Sequence, residues 1–583
     1  MPNGPDERFE IGLVMAGAIS AGAYTAGVID FLVQALDEWQ RAKDDGAPDV
    51  PSHDTVIKVM TGASAGGITA AIATAAFGGD IEAIEASPAG GTGNKLYESW
   101  VRRIDIKSLL EARDIAADDA VVSSVLDSSE LDVIASDAIK VAPTGRARPY
   151  VADPLHVVLS VANLRGVPYA IAGGPIQAFA YQMSAHADYM HFTASAEGRT
   201  VPGTLSLDWL DYGKPEWQVL KDSALASGAF PVGLKPRLLH RPASDYDLRT
   251  WTIPLAPDAT ATPPVQCCEE RPIPPIWPMQ IAQNPAGHDY RFLCVDGGLM
   301  NNEPLELARV LLAGPDGRNP RRGRDAKRAV LMIDPFPNIV PFGLDYTPKD
   351  DILNVIKGMF GSLKMQARFK PDELVLAAAD DIYSRFMIAP QRKAADGLPS
   401  AFPMASNALG GFGGFLSQDF RAHDYQLGRR NCQRFLQLHF VLPSEGADKN
   451  SLFDRWTDAA KAKYRVVDGG QAYLPIVPLV GRAAQPIPAP VWPSYSEAQL
   501  ADLAERVKSR IDLVVKRLAK QFVKQSLIRW GVTTAWSFKR GSLVEDVMGS
   551  IRANLETVGL MAGTANPSIA GPAEPEDPQR PRE

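Results

Sequence analysis

The residues best placed for chemistry are Ser64 and Asp296. Ser64 sits in Gly62-Ala63-Ser64-Ala65-Gly66, the small-residue pattern of a nucleophile elbow, between an apolar strand-like run and an apolar helix-like one. A serine hydroxyl is a poor nucleophile. It needs a tight turn that exposes it, small neighbours that admit a carbonyl, and a helix N-terminus that favours developing negative charge. Asp296 lies in Leu293-Cys294-Val295-Asp296-Gly297-Gly298, at the end of an apolar run, where α/β folds gather active-site groups. A carboxylate with an ordinary pKa near ~3.9 is a weak base, so it must bond directly to the hydroxyl in a poorly solvated site. Of the eight histidines, His423 and His439 come late enough to be the base of a triad. His423, however, sits in a charged, helical-looking stretch, Phe420 to Asn431, that suits a structural hydrogen bond better.

The elements that must hold these residues read as alternating strands and helices. Ile11 to Met15 predicts a strand, followed by a small-residue turn and a helix through Val28, Phe31 and Leu32. Val56 to Met60 repeats the strand, and Ile68 to Ala76 the helix. Further strand-like runs occur at His156 to Val161, Phe292 to Val295 and Ala329 to Ile333. The expected fold is α/β with a largely parallel central sheet.

Bulk properties narrow the field. A chain of 583 residues is long enough for two or three cooperating domains, and 45% hydrophobic with 22% charged residues is a globular composition. With 60 basic against 68 acidic residues and a formal charge of -8, nucleic acid is not an expected partner. Cys267, Cys268, Cys294 and Cys432 form neither a disulfide framework nor paired metal-ligand spacing, so a reducing, cytoplasmic compartment fits, and serine-aspartate chemistry calls for no metal or other cofactor. The polar N-terminus lacks the character of a secretory signal, which leaves only a non-classical route for secretion. Apolar stretches are interrupted before the ~18 residues of a membrane span, so membrane contact is expected to be peripheral.

Three features, in order, make the chain resemble the patatin-like phospholipases. They are Gly17-Ala18-Ile19-Ser20-Ala21-Gly22, similar to that family's glycine-rich oxyanion loop, then the elbow at Ser64, then the Asp-Gly-Gly at Asp296. A fourth is Ala226-Ser227-Gly228-Ala229-Phe230-Pro231, similar to the family's Ser-x-Ala-x-Pro segment. The resemblance covers about residues 8 to 340; the remainder looks like the C-terminal extension of some bacterial patatin-related proteins. It implies an α/β sandwich with a serine-aspartate dyad, backbone amides of Gly17, Ala18 and Ile19 as an oxyanion hole, and phospholipid or lysophospholipid esters as substrates. The chain departs from the family where three glycines and a basic residue are usual, since Gly17-Ala18-Ile19 stands there with Ala21 at the basic position. A positive φ at Ala18 or Ile19 would be strained. The alternatives are a soluble-substrate esterase or thioesterase, and a catalytically silent lipid-binding protein.

The expected organisation is a catalytic domain over 1–344 with a proline-rich insertion at about 241–290. A helical or irregular extension over 345–490, a helical region over 491–563 and a disordered tail over 564–583 follow. In the extension, Gly410-Gly411-Phe412-Gly413-Gly414-Phe415 reads equally as a flexible lid or an ordinary surface loop. Leu500, Leu503, Val507, Ile511, Val514, Leu518 and Phe522 mark one apolar helix face, flanked by Arg506, Lys508, Arg510, Lys516, Arg517, Lys520 and Lys524. That face fits a packed helix with a solvated basic side, or a membrane-surface helix. Ile352 to Phe369 has the same two readings.

Overall fold

In the computed structural model the strands expected around the two motifs form and meet at their ends. The structure describes residues 7–562 except 118, 145–147, 174–178, 255–267, 314–316, 337–354, 356–357, 360–361, 363–364, 369–381, 395–396 and 523–525, and no side chains of 171–180, 252, 254, 268 or 523–540. The tail over 564–583, part of the proline-rich insertion and most of Ile352 to Phe369 therefore lie outside the described residues.

The first half of the chain runs β1 (Arg8–Met15), α1 (Gly22–Asp44), β2 (Asp54–Gly62), α2 (Ala65–Phe77), α3 (Ser129–Ala138), β3 (Val151–Gly173), β4 (Phe179–Ser195), β5 (Leu205–Asp208) and α4 (Pro215–Ser227). There follow β6 (Arg237–Pro242), β7 (Thr250–Pro254), β8 (Cys268–Pro272), β9 (Asp289–Asp296), α5 (Leu305–Ala313), β10 (Arg328–Ile333) and β11 (Arg385–Ile388). Then come α6 (Gln418–Leu438), β12 (Val441–Pro443), β13 (Val466–Asp468), β14 (Gln471–Pro475), α7 (Glu497–Phe522) and α8 (Ser526–Val558).

The central sheet is mixed and largely parallel, in the order β11-β10-β1-β2-β3-β4-β5, with β9 paired to β3 and β6 paired to β9. Every pair from β11 to β3 is parallel, and β4 with β5 is too. β9, the strand expected at Phe292 to Val295, runs antiparallel to both β3 and β6. Its end therefore points back toward the C-terminal end of β2, where Ser64 emerges. In the proline-rich insertion, β7 and β8 pair as a separate antiparallel ribbon.

α2 is buried almost all round, as a helix with no polar face must be, and α1 is buried over most of its length, its Asp30, Gln34 and Glu38 being met by Asn94, Arg429 and Arg482. The helical stretch Ile19–Asp44 is long and apolar enough to cross a membrane by length and composition, and it was not anticipated as such; 94% of its apolar window is buried inside the protein, as in a core helix. α1 is covered by α6. A Cβ on Gly27 would lie 2.0 Å from the Tyr425 carbonyl oxygen, and one on Gly428 2.2 Å from that of Tyr24, so the two backbones touch through paired glycines. One hydrophobic core consequently runs from Phe9 in β1 to Ala483, without a break at 344.

α7 packs rather than floats. Leu500, Leu503 and Val514 are buried, the first two in a second core with Leu555, Val558 and Met561. Arg510, expected on the solvated basic side, is 2% exposed; its guanidinium donates to Asp114 Oδ1 at 2.6 Å and to the Val125 carbonyl at 2.7 Å. Phe522, at the end of the same helix, is exposed.

Candidate active site

Ser64 is the joint between β2 and α2. Its backbone is held at φ 52°, ψ −125°, outside the regions an L-residue favours, which thrusts the side chain out of the turn. The turn is tight enough to require its glycines: a Cβ on Gly66 would lie 2.0 Å from the Met15 carbonyl oxygen, and one on Gly62 would strike the Gly66 backbone. Ala63 is buried and donates its amide to the Met15 carbonyl at 3.2 Å, while Ala65 opens α2.

Asp296 closes β9. Its amide donates to the Ala229 carbonyl at 2.9 Å, and its Oδ1 accepts the Gly298 amide at 2.8 Å. Gly297 lies against the Ser160 backbone of β3, where a Cβ would come within 2.1 Å of the carbonyl oxygen. The other carboxylate oxygen, Oδ2, accepts the Ser64 hydroxyl at 2.7 Å across a sequence separation of 232. The two residues are 6% and 5% exposed, so bulk water competes little for the bond. The dyad expected from the sequence is thus one hydrogen bond.

Ser227, quoted in the sequence without a role, proves central. Fully buried at the end of α4, its Oγ accepts the Ser64 amide at 2.9 Å and so satisfies the strained residue's own backbone donor. Its place in Ala226-Ser227-Gly228 was the available signal.

The oxyanion loop differs from expectation in detail. The Gly17 amide donates to the Asn302 carbonyl at 3.1 Å, so it is engaged within the protein rather than offered to a ligand. Gly17 nevertheless touches the site, since a Cβ there would lie 3.1 Å from Ser64 Cβ. The amides of Ala18 and Ile19 have no backbone partner among the described residues. Ile19 takes φ 50°, the strain anticipated from the missing glycine, while Ala18 stays at φ −142°. A β-branched residue held there costs on the order of 1–3 kcal/mol, supplied by the surrounding packing. Asn302 gave no sequence signal. It is buried, and its Nδ2 donates to Glu303 Oε1 at 2.6 Å. Burial, together with the Asp334 carboxylate, pushes the Glu303 carboxyl up to about 7 despite Arg368 at 3.1 Å.

From the dyad an apolar cleft extends between α2, α3 and α4. Ile72, Leu109, Ile134, Leu225 and Phe230 are among its walls. Phe412 and Phe415 complete it from the C-terminal half. The glycine-aromatic loop that carries them is neither an open lid nor an ordinary surface loop. It forms short 3-10 turns with Gly411, Gly413, Gly414 and Phe415 buried, and the Ser20 hydroxyl bonds to the Gly411 carbonyl while accepting the Gly414 amide at 3.0 Å. The loop is therefore tied to the turn that follows Ile19. Outside, Val125, Val232 and Leu238 are exposed near the rim residue Lys235.

His423 stands elsewhere. It is buried on α6, with Nδ1 2.8 Å from Asp424 Oδ1 and its ring edge-on to Trp492, and it does not line the cleft. His439 caps the end of the same helix. Among the described residues, no group of three or more His, Cys, Asp or Glu could hold a metal ion.

No family model matches the chain. The chain is similar to "Uncharacterized protein y4iI" of Sinorhizobium fredii, with 38% identity over 591 aligned positions covering 94% of this chain and 81% of the relative.

Proposed function

The chain belongs to the family of that Sinorhizobium protein, and from its serine-aspartate pair we propose that it is a serine lipid acyl hydrolase of the patatin-like kind. The observation that carries the reading is the Ser64 hydroxyl bonded at 2.7 Å to Asp296 at one end of an apolar cleft.

Ser64 attacks an ester carbonyl as Asp296 takes the hydroxyl proton, forming a tetrahedral oxyanion. The amides of Ala18 and Ile19, and the N-terminus of α2 beginning at Ala65, supply donors and a favourable dipole for that charge. Collapse breaks the bond to the leaving alcohol, to which Asp296 returns the proton, and leaves an acyl-serine. Asp296 then draws a proton from water, whose oxygen attacks the acyl carbon; the fatty acid leaves and Ser64 recovers its proton. The apolar walls take the acyl chain, and the exposed Val125, Val232 and Leu238 give a lipid surface a place to rest. Phospholipid or lysophospholipid esters are the proposed substrates, met at a membrane surface.

A fluorophosphonate probe reports whether the serine is activated. Labelling of the parent chain that disappears in Ser64→Ala is expected, as is release of fatty acid from phospholipid vesicles. Absence of labelling would favour a silent lipid-binding protein. Labelling with turnover only of short soluble esters would favour a soluble-substrate esterase.

A further inference from the structure

Three basic side chains, Lys221, Lys235 and Arg237, also border the cleft that holds Ser64 and Asp296. Two of them are largely buried there. The Lys221 side chain is 11% exposed and that of Arg237 12%, whereas Lys235 lies open at the rim.

Their partners leave donors of the cluster unsatisfied. Arg237 Nη1 donates to Asp132 Oδ1 at 2.6 Å, but its Nε is buried without a partner. Lys221 Nζ finds Asp222 Oδ1 and Ser136 Oγ only at 3.5 Å each. Lys235 makes no ion pair among the described residues. Three cations thus share two carboxylate partners, Asp132 and Asp222, beside apolar walls, where an unsatisfied charged donor is costly and a bound anion relieves the cost.

The sheet register places one member of this cluster close to the chemistry. Arg237 on β6 stands opposite Cys294 on β9, and Cys294 and Asp296 share a face. Arg237 is therefore the diagonal neighbour of Asp296, a separation of about 7–8 Å. An ester at Ser64 can carry a charged group over that span, and the cations offset the repulsion such a group would feel from Asp296.

We propose that Lys221, Lys235 and Arg237 form an anion cradle, which takes a phosphate or carboxylate of an amphiphilic ester while the ester carbonyl lies at Ser64. The cradle rests on the hydrolase reading for its substrate. It selects acyl esters that carry an anion over equally apolar neutral ones.

The test compares matched pairs. Lysophosphatidic acid against monoacylglycerol places the anion on the leaving alcohol; the p-nitrophenyl half-ester of a long dicarboxylic acid against the monocarboxylic ester places it on the acyl chain. The parent is expected to favour the anionic member of one pair by about tenfold in kcat/KM at low salt, and the pair that responds identifies where the anion sits. In Lys221→Gln/Lys235→Gln the ratio should fall toward one, chiefly through KM. A ratio near one in the parent for both pairs, or one that survives the double substitution, overturns the cradle. Should no ester turn over, calorimetry on Ser64→Ala separates the two ideas. Dodecyl phosphate binding about tenfold more tightly than dodecanol, with the difference lost in the lysine variants, keeps the cradle while the hydrolase falls; equal binding removes both.

Discussion

Ser64 and Asp296, bonded to each other, are held by different parts of the chain, and under the proposed hydrolase reading their substitution should separate function from folding. Asp296→Asn replaces the acceptor with an amide and is expected to cut turnover by about three to four orders of magnitude. His423→Ala should leave turnover within a few-fold but lower thermal stability by about 1–3 kcal/mol, because Asp424 keeps only its bonds to Ala405 and Ser406. Parallel measurements of kcat and melting on both variants check this; a dead His423→Ala that melts normally would restore the triad. Ser227→Ala strips the acceptor from the Ser64 amide while leaving the hydroxyl in place. Its expected cost is about tenfold in kcat with little change in KM, read from initial rates on one ester.

At the scale of elements, the runs around the dyad were legible because strand, tight turn and helix each leave a local mark. Gly62 and Gly66 announce a turn that only small residues can make, and β1, β2 and β10 are plain apolar runs. β4 was not legible. It carries His186, Asp188 and His191, residues that disfavour a strand on their own and are tolerated here because other elements satisfy them. Asp188 is the clearest case: burial opposes its ionisation, but Arg249 at 2.6 Å and the charge of Arg241 outweigh burial and hold it down to about 2. A depressed acid stabilises the fold above its unfolded value and loses that contribution as it protonates. Between pH 3.8 and about 2 the protein should therefore lose about 2 kcal/mol from this residue, a slope that Asp188→Asn removes in acid-unfolding curves. The direction of β9 was equally hidden, since an apolar run does not say which neighbour it will pair with.

For the whole molecule, the seam between the two halves matters most. His53, just before β2, stacks on Trp456 and meets the Ile476 carbonyl at 2.8 Å, and burial holds its imidazole down at about 4. It is neutral in the fold and charged when unfolded in mild acid. As pH falls from 6.5 toward 4, up to about 3 kcal/mol of stability should disappear, and His53→Gln should flatten that part of the profile in denaturant titrations. The division at 344 expected from composition is likewise not a division of the core. A fragment of residues 1–344 would expose the α1 face that α6 covers, and it should show no cooperative melting by calorimetry. Composition marks where a chain changes character; it is silent on whether two stretches share an interior.

The glycine crossing of α1 and α6 carries this further. At both Gly27 and Gly428 the obstacle is main chain, which no compensating mutation can trim. Relatives can vary the side chains around that contact but have no route to a larger residue within it. Since α1 begins at the turn following Ile19, any widening would be transmitted to the Ala18 and Ile19 amides proposed to meet the oxyanion. On the proposed reading, turnover would thus be tied to a point of contact that touches neither substrate nor water.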